Sequence, residues 1–513
     1  MSILNEPAVQ PLDEYNQNLI AQVHPLNWVN PTPAPRYDLV VIGAGTAGLV
    51  VAAGAAGLNL GLKIALIEKG LMGGDCLNLG CVPSKTLIQS SRVAATVRDA
   101  RSFGICACES VEVDFATVMQ RVRRIRSEIS PHDSANEFRQ LGIDVFLGRA
   151  AFRDSHTIEV DGTPLRFKKA AITTGARAAQ PDIPGLAETG FLTHETVFSL
   201  TVRPTRLAVL GGGPIGCELA QAFQRLGSEV TLFHNKSHLL DREDAAAADL
   251  VEQSFVKDGV HLLLNSTVTR VEQTDAGKVI DYQHQGSTKT VVVDEILIGA
   301  GRSPNVEGLN LEAVGVTYNA SGVVVDDYLQ TTNPRIYAAG DICMQWKFTH
   351  AADAAARILI RNALFAPLGL GRSKLSHLVM PWVTYTDPEI AHVGLYETEA
   401  QARGVETETI QIPFQEVDRA LTDGETNGFV KVLLRRGSDQ ILGATIVARH
   451  AGEMISEVTT AIVRKQGLKA LSQVIHPYPT QAQAIKQAAD EYYRKAFLNP
   501  TIQLLLKLVA KLS

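Results

Sequence analysis

Short apolar runs closed by glycine-rich turns punctuate this chain as far as residue 341. The first, Tyr37-Asp38-Leu39-Val40-Val41-Ile42, ends in Gly43-Ala44-Gly45-Thr46-Ala47-Gly48. A small-residue helical pattern follows, then Lys63-Ile64-Ala65-Leu66-Ile67-Glu68. This order predicts a strand, a tight turn, a helix and a second strand closing on an acid. In such a unit Gly43, Gly45 and Gly48 let the backbone approach a pyrophosphate, the helix N-terminus stabilises its charge, and Glu68 accepts from ribose hydroxyls. The preceding strand and the position of Glu68, twenty residues after Gly48, make the pattern specific. The alternative is a glycine turn that serves packing alone.

A second copy begins at Thr205-Arg206-Leu207-Ala208-Val209-Leu210. It continues through Gly211, Gly213 and Gly216 to the strand Glu229-Val230-Thr231-Leu232-Phe233. Two such units imply two nucleotides. The second lacks the closing acid and exits into His234-Asn235-Lys236-Ser237. Basic groups at this place can receive a 2′-phosphate, which favours NADPH over NADH. The alternative makes His234 and Lys236 solvated loop residues.

Further strand-like runs end in Thr173-Thr174-Gly175, in Gly299-Ala300-Gly301-Arg302 and in Ala338-Ala339-Gly340-Asp341. Asp341, just after a buried strand, either holds sugar-like hydroxyls or caps a helix beginning near His350. From about residue 374 strand-like runs such as Val430-Lys431-Val432-Leu433-Leu434 alternate with helical segments. That region reads as an α+β domain without a nucleotide motif.

Length and composition narrow the class. The 513 residues allow about three domains. The chain is 45% hydrophobic and 20% charged, ordinary for a globular protein. A net charge of −6 with no basic block argues against nucleic acid as a partner. Six cysteines in so long a chain do not make a secreted disulfide scaffold, and the expected location is the cytoplasm. The first 35 residues are polar and Pro-rich at their end, without the apolar core of a signal peptide, and read as an extension.

The most informative chemistry lies in Gly73-Gly74-Asp75-Cys76-Leu77-Asn78-Leu79-Gly80-Cys81-Val82-Pro83-Ser84-Lys85. Five helical steps at ~1.5 Å rise would hold the two cysteine Cα atoms about 8–9 Å apart, whereas a disulfide needs roughly 4.4–6.8 Å. Pairing therefore needs a distorted turn, which Gly80 and Pro83 permit. A thiol at a helix start also sits where thiolate is favoured. The reading is a redox-active pair beside a cofactor, with a zinc site or two core cysteines as alternatives. Zinc wants a second Cys/His pair nearby, and none is evident, so no metal site is expected. Cys106 and Cys108 form an incomplete ligand pair, read as incidental.

Taken together, these motifs resemble the class I flavin-dependent pyridine nucleotide-disulfide oxidoreductases, the family of lipoamide dehydrogenase, glutathione reductase and mercuric reductase. The resemblance runs from about Arg36 to Gln487. It implies an α/β fold with two Rossmann-like dinucleotide-binding domains, for FAD and NAD(P)H, and a C-terminal α+β dimerisation domain in a homodimer. The implied layout is an N-terminal extension (1–35), an FAD domain in two parts (36–178 and 305–373), an NAD(P)H domain (179–304), a dimerisation domain (374–500) and an amphipathic tail (501–513). By the same resemblance Gly43, Gly45, Gly48, Glu68, Thr174, Gly175 and Asp341 serve FAD. Gly211, Gly213, Gly216, His234, Lys236 and Gly301 serve NADPH. Cys81 is implied to be the thiol beside the flavin, Cys76 the outer interchange thiol, and Lys85 the cation near the flavin, with Glu218 as its partner.

The departures from the family pattern bear on the substrate. Where disulfide-reducing relatives carry a His-x-His-Pro-x-x-x-Glu type motif, this chain has His476-Pro477-Tyr478-Pro479-Thr480-Gln481-Ala482-Gln483. Tyr478 and Gln483 replace the acid-base His and its Glu; Tyr, with a pKa near 10, is a poor base at neutral pH. His476, two residues away, is either a substitute base or a packed histidine. Tyr at this place is similar to the mercuric reductase pattern, yet no cysteine follows Cys343 and no Cys-x-x-Cys precedes Arg36 in this sequence, so the C-terminal cysteine pair and N-terminal metal-binding domain of those enzymes are not expected. The expected acceptor is a soft metal ion or quinone-like molecule. The alternatives are a lipoamide- or glutathione-type disulfide reductase, and a redox-sensing flavoprotein with little turnover. The tail is expected to pack as an amphipathic helix on its own domain or a partner subunit in preference to a membrane surface.

Overall fold

A computed structural model describes residues 9–106, 112–497 and 500–511. Two compact units emerge, one of residues 1–211, 222–230 and 268–378, the other of residues 212–221, 231–267 and 379–513. Among the described residues no helix is long and apolar enough to cross a membrane.

The first unit is built on a mixed sheet. Its strands are β1 (Tyr37–Ile42), β2 (Ile64–Glu68), β3 (Asp144–Leu147), β4 (Ala150–Asp154), β5 (Thr157–Val160) and β6 (Thr163–Ile172), in the order β3-β2-β1-β6-β5-β4. The strand Ile336–Ala338 adds to β6 in parallel. The nucleotide-binding half is parallel: β1 pairs with β2 and β6, and β2 with β3. Parallel strands with both faces covered read as continuous apolar runs. Accordingly Leu39, Val40 and Val41 of β1 and Ala65 and Leu66 of β2 are fully buried.

The polar start of the chain is ordered by this unit. Helix α1 (Glu14–Val23) is capped by Asp13, whose carboxylate accepts from Asn16 N–H at 2.9 Å. It buries Leu19, Ile20 and Val23. The chain then runs along β3, the sheet edge. Asn30 accepts from Leu147 N–H at 2.8 Å and donates to Leu147 O at 3.0 Å, and Trp28 Nε1 donates to Val145 O. These bonds satisfy an edge that would otherwise be open to another chain. The apolar stripe of α1 is narrow, three residues, which makes the helix hard to recognise in the polar segment before residue 36.

The second unit carries a five-stranded antiparallel sheet, ordered Pro381–Thr384, Glu389–Gly394, Ile441–Ala448, Phe429–Arg435, Thr407–Pro413. The helices Ala451–Val463 and Gln483–Phe497 belong to its core, through Ile455, Val458, Ile485 and Ala489. This is the α+β region expected after residue 374. The C-terminal helix Pro500–Val509 forms as the pattern predicts. Leu504, Leu506, Leu508 and Val509 are exposed on the single chain, so packing on its own domain does not cover them.

Candidate active site

The turn after β1 leads into helix α2 (Thr46–Ala56), with Gly45 at its N-cap. Three observations fit a dinucleotide here. Gly43 has φ +100°, and a Cβ there would lie 2.5 Å from Thr173 O. A Cβ at Gly48 would lie 1.8 Å from Gly43 O, so only glycine lets α2 close on the turn. Glu68, at the end of β2, is half-buried and accepts from Ala44 N–H at 2.6 Å and Gly70 N–H at 2.7 Å. Burial raises its pKa, while these amide bonds act in the opposite direction. The two bonds leave lone pairs on both oxygens, which suits a ribose diol.

Thr173 and Thr174 close the cradle from β6. Thr173 Oγ1 donates to the carbonyls of Ile42 and Gly43, and Thr174 is locked to Asn305 through its hydroxyl and its carbonyl. Gly175 follows at φ +67°. Asp341 lies after the strand Ile336–Ala338 and is largely buried, with Arg302 Nη1 at 3.4 Å from its carboxylate. Desolvation raises its pKa, and Arg302 opposes that shift. The helix Thr349–Leu364 has Phe348 at its N-cap and no side-chain cap, so Asp341 is not its capping residue.

The cysteine segment folds as two helices. Helix α3 (Gly74–Asn78) carries Cys76, and helix α4 (Cys81–Asp99) begins at Cys81. Leu79 and Gly80 leave helical geometry between them, and a Cβ at Gly80 would meet Asp75 O at 2.9 Å. The distortion sits at Leu79 and Gly80; Pro83 lies in the first turn of α4, where no helical partner exists for an N–H. The turn brings the thiols into a mutual hydrogen bond, the largest cause of the upward pKa shift of Cys76, with burial second. Thr349 Oγ1 lies 3.2 Å from Cys81 Sγ and also bonds Cys76. Cys81, at the first position of a 19-residue helix, is the better placed of the two to carry negative charge. Lys85 follows one turn later, half-buried. Cys217 is buried and Cys343 half-buried, and desolvation pushes both thiols up. Cys108 lies outside the described residues.

The sequence did not single out Asp75, His194 or Arg302 as a group. Arg302 pairs with Asp75 as well as with Asp341, and His194 Nε2 lies 3.7 Å from Asp75 Oδ2. Asp75 is held below the usual carboxylate range by His194 and Arg302, against its burial. Gly74 beside it packs on Gly45, where a Cβ would come within 2.6 Å of Gly45 Cα. The group therefore joins the cysteine segment, the phosphate turn and Asp341. Its one sequence signal was an acid directly before Cys76.

In the second nucleotide motif Gly211 has φ +116°, and a Cβ there would crowd Gly299 at 3.1 Å. Gly301 has φ +76°. Gly213 and Gly216 flank the start of the helix Pro214–Arg225, and Glu218 on it is buried and accepts from Tyr385 N–H at 2.9 Å. His234 is also buried: its Nδ1 accepts from Gly212 N–H at 3.2 Å, and desolvation lowers its pKa. A ring that accepts at Nδ1 is neutral, so His234 braces the glycine turn. Of the two groups read as 2′-phosphate ligands, only Lys236 is exposed.

The C-terminal residues take separate roles. Tyr478 is exposed, and its hydroxyl donates to Asp418 Oδ2 at 3.0 Å. That bond raises its pKa, making it a still weaker base. His476 has a side chain only 5% exposed, with Nε2 3.0 Å from Glu457 Oε1 and Nδ1 3.1 Å from Val474 O.

Known proteins share this architecture and these motifs. The family pattern described as pyridine nucleotide-disulphide oxidoreductase matches residues 37–356, and that family's dimerisation domain matches residues 380–489. A mercuric reductase of Lysinibacillus sphaericus is 34% identical over 487 residues, covering 94% of this chain and 88% of its own length. A dihydrolipoyl dehydrogenase of Chlamydia muridarum is 34% identical over 463 residues, covering 88% and 96%. Among solved structures, the HOCl-induced flavoprotein disulfide reductase RclA of Escherichia coli superposes with a TM-score of 0.77 at 28% identity, covering 88% of this chain and 99% of its own. On its fold, its cysteine segment and these relatives, the chain is an enzyme of the FAD-dependent pyridine nucleotide-disulfide oxidoreductase family.

Proposed function

We propose that this enzyme uses NADPH and passes electrons through the Cys76–Cys81 pair to a soft metal ion or quinone-like acceptor. FAD, when bound, supplies the two-electron link between pyridine nucleotide and thiols. Gly43, Gly45, Gly48, Glu68, Thr174, Gly175 and Asp341 are the residues that would hold it, and Lys85 with Glu218 would tune it. Lys236 carries the NADPH preference in this reading, with Gly211, Gly213, Gly216 and Gly301 shaping the coenzyme turn.

The observation that carries the acceptor class is Tyr478. A hydroxyl committed to Asp418, whose pKa is raised by that bond, cannot replace a His–Glu dyad in thiol exchange. A metal ion or quinone asks less of an acid-base group. Two of the comparisons support the metal: the relatives named mercuric reductase, and an RclA structure described as a Cu(II) complex. One observation favours a second reading, a disulfide reductase: His476 has its own carboxylate in Glu457.

Steady-state NADPH oxidation with Hg2+, Cu2+, menadione, lipoamide and glutathione disulfide separates the readings. The metal or quinone arms should exceed the disulfide arms by ~10²–10⁴-fold, the usual contribution of an acid-base group. Disulfide turnover as fast as the metal arms would reject the proposal and favour His476. A single reduction without turnover would mark a sensor. Equal or lower KM for NADH than for NADPH would reject the coenzyme assignment, and Lys236→Glu should move preference toward NADH.

A further inference from the structure

The outer thiol has a neighbour outside the family motifs. Asp133 ends the short turn Ser130–Asp133, which packs against α1, α5 (Phe115–Ile129) and the helix Ala135–Gln140. Its Oδ2 reaches to within 2.9 Å of where a Cβ on Gly73 would stand. Gly73 is the N-cap of α3, at φ +88°, and Cys76 lies three residues further on. Glycine at 73 is thus what admits the carboxylate to the start of the cysteine helix. The charge of Asp133 bears on Cys76 and adds to the causes that hold its proton.

The cations on the surrounding elements are engaged elsewhere. Arg123 on α5 pairs with Asp13, and Arg126 donates to Asn78 O and Asn16 Oδ1. His132, exposed and adjacent in sequence, is the group that opposes the effect of burial on Asp133. Burial outweighs it, so the carboxyl has a raised pKa and is disposed to accept a proton. The result is a half-buried carboxylate without an Arg or Lys partner among the described residues, set against the N-cap residue of the helix that carries Cys76.

We propose that Asp133 selects acceptors by charge at Cys76: it favours a cationic acceptor, such as a soft divalent metal ion, and disfavours an anionic disulfide. This rests on the reading of Cys76 as the outer thiol. The corresponding step balances simply. A divalent cation forms a bond to Cys76 Sγ, the S–H bond breaks, and the proton passes to water; no electron moves until the metal is bound.

Charge selection is measurable without knowing the acceptor. The FAD-loaded enzyme, reduced with dithiothreitol, is alkylated with neutral iodoacetamide or anionic iodoacetate, and Cys76 modification is read by peptide mass spectrometry, since Cys81 and Cys106 are exposed and Cys76 is half-buried. Asp133→Asn should raise the iodoacetate-to-iodoacetamide rate ratio at Cys76 by ~3–10-fold, an effect that shrinks at 1 M salt. Asp133→Glu should keep the wild-type ratio. FAD content checks that each variant is folded, and Asp133→Ser is a second neutral variant if Asn loses flavin. A ratio within twofold of wild type in a flavin-loaded neutral variant would overturn the proposal. That outcome is separate from the acceptor screen: an enzyme that prefers disulfides would reject the metal reading and leave the alkylation ratio to judge Asp133.

Discussion

At the scale of single residues, the sharpest constraints are steric and protonic. Gly48 has no room for a methyl group: its Cβ would stand 1.8 Å from a backbone oxygen that cannot swing away. Gly48→Ala should therefore lose FAD, seen as missing flavin absorbance in the purified protein, with any soluble product melting well below wild type. His392 makes a different prediction. It is buried, accepts from Thr445 Oγ1–H at 2.8 Å, donates to Gly394 O at 3.2 Å and stacks on Tyr396. Desolvation lowers its pKa to about 4. The unfolded chain, with an ordinary histidine, binds this proton near pH 6.5, and the folded one does not until about 4. Stability is thus fully present above pH 6.5 and falls as pH drops from 6.5 toward 4, by roughly 3 kcal/mol at most. His392→Gln should flatten that part of the melting-temperature profile; an unchanged slope between pH 6.5 and 4 would remove His392 as its cause.

At the scale of elements, Arg302 ties the segment before Cys76 to the strand end at Asp341. One guanidinium serves two carboxylates, so its loss leaves both facing each other across the cofactor cradle. Arg302→Met should weaken FAD binding and cost roughly 2 kcal/mol in the apoprotein, the measure being flavin fluorescence titration beside denaturant unfolding. The extension matters at this scale too. Through Asn16 and Arg126, α1 connects to Asn78, two residues past Cys76, and burial lowers the Arg126 pKa to about 10. Removing residues 1–35 should uncover together the β3 edge and the face of α5 that α1 covers. Limited proteolysis near β3 and a lower melting temperature are the expected signs, and a truncated enzyme as stable as the full chain would show the extension to be dispensable.

At the scale of the whole molecule, the family's dimerisation domain supports a homodimer. Sedimentation equilibrium should give twice the 55.3 kDa of one chain. A fully active monomer would contradict it. The exposed leucines of the C-terminal helix offer a companion measurement. If a second subunit covers them, Leu504→Lys with Leu508→Lys should weaken the dimer. If these changes instead abolish binding to anionic lipid vesicles and leave the dimer intact, the tail is a surface anchor.

The sequence by itself determined what depends on local rules. Glycine spacing located both nucleotide turns, with a terminal acid at the first alone, because only glycine tolerates φ +100° at Gly43 or the contact at Gly48. Two cysteines around Gly80 announced a broken helix for the same kind of reason. Short apolar runs located two strands of the second unit, Phe429–Arg435 and Ile441–Ala448. Tertiary structure decided whatever depends on neighbours distant in the chain. His234 looked like a phosphate ligand until burial and Gly212 made it a neutral brace. The His476 ring acquired a carboxylate from a helix 19 residues earlier. Asp75, His194, Arg302 and Asp341 come from four separate segments and meet only in the fold. Asp133, more than fifty residues from Cys76, gains its influence in the same way. Charge and solvation are properties of the assembled surroundings, and no spacing rule along the chain encodes them.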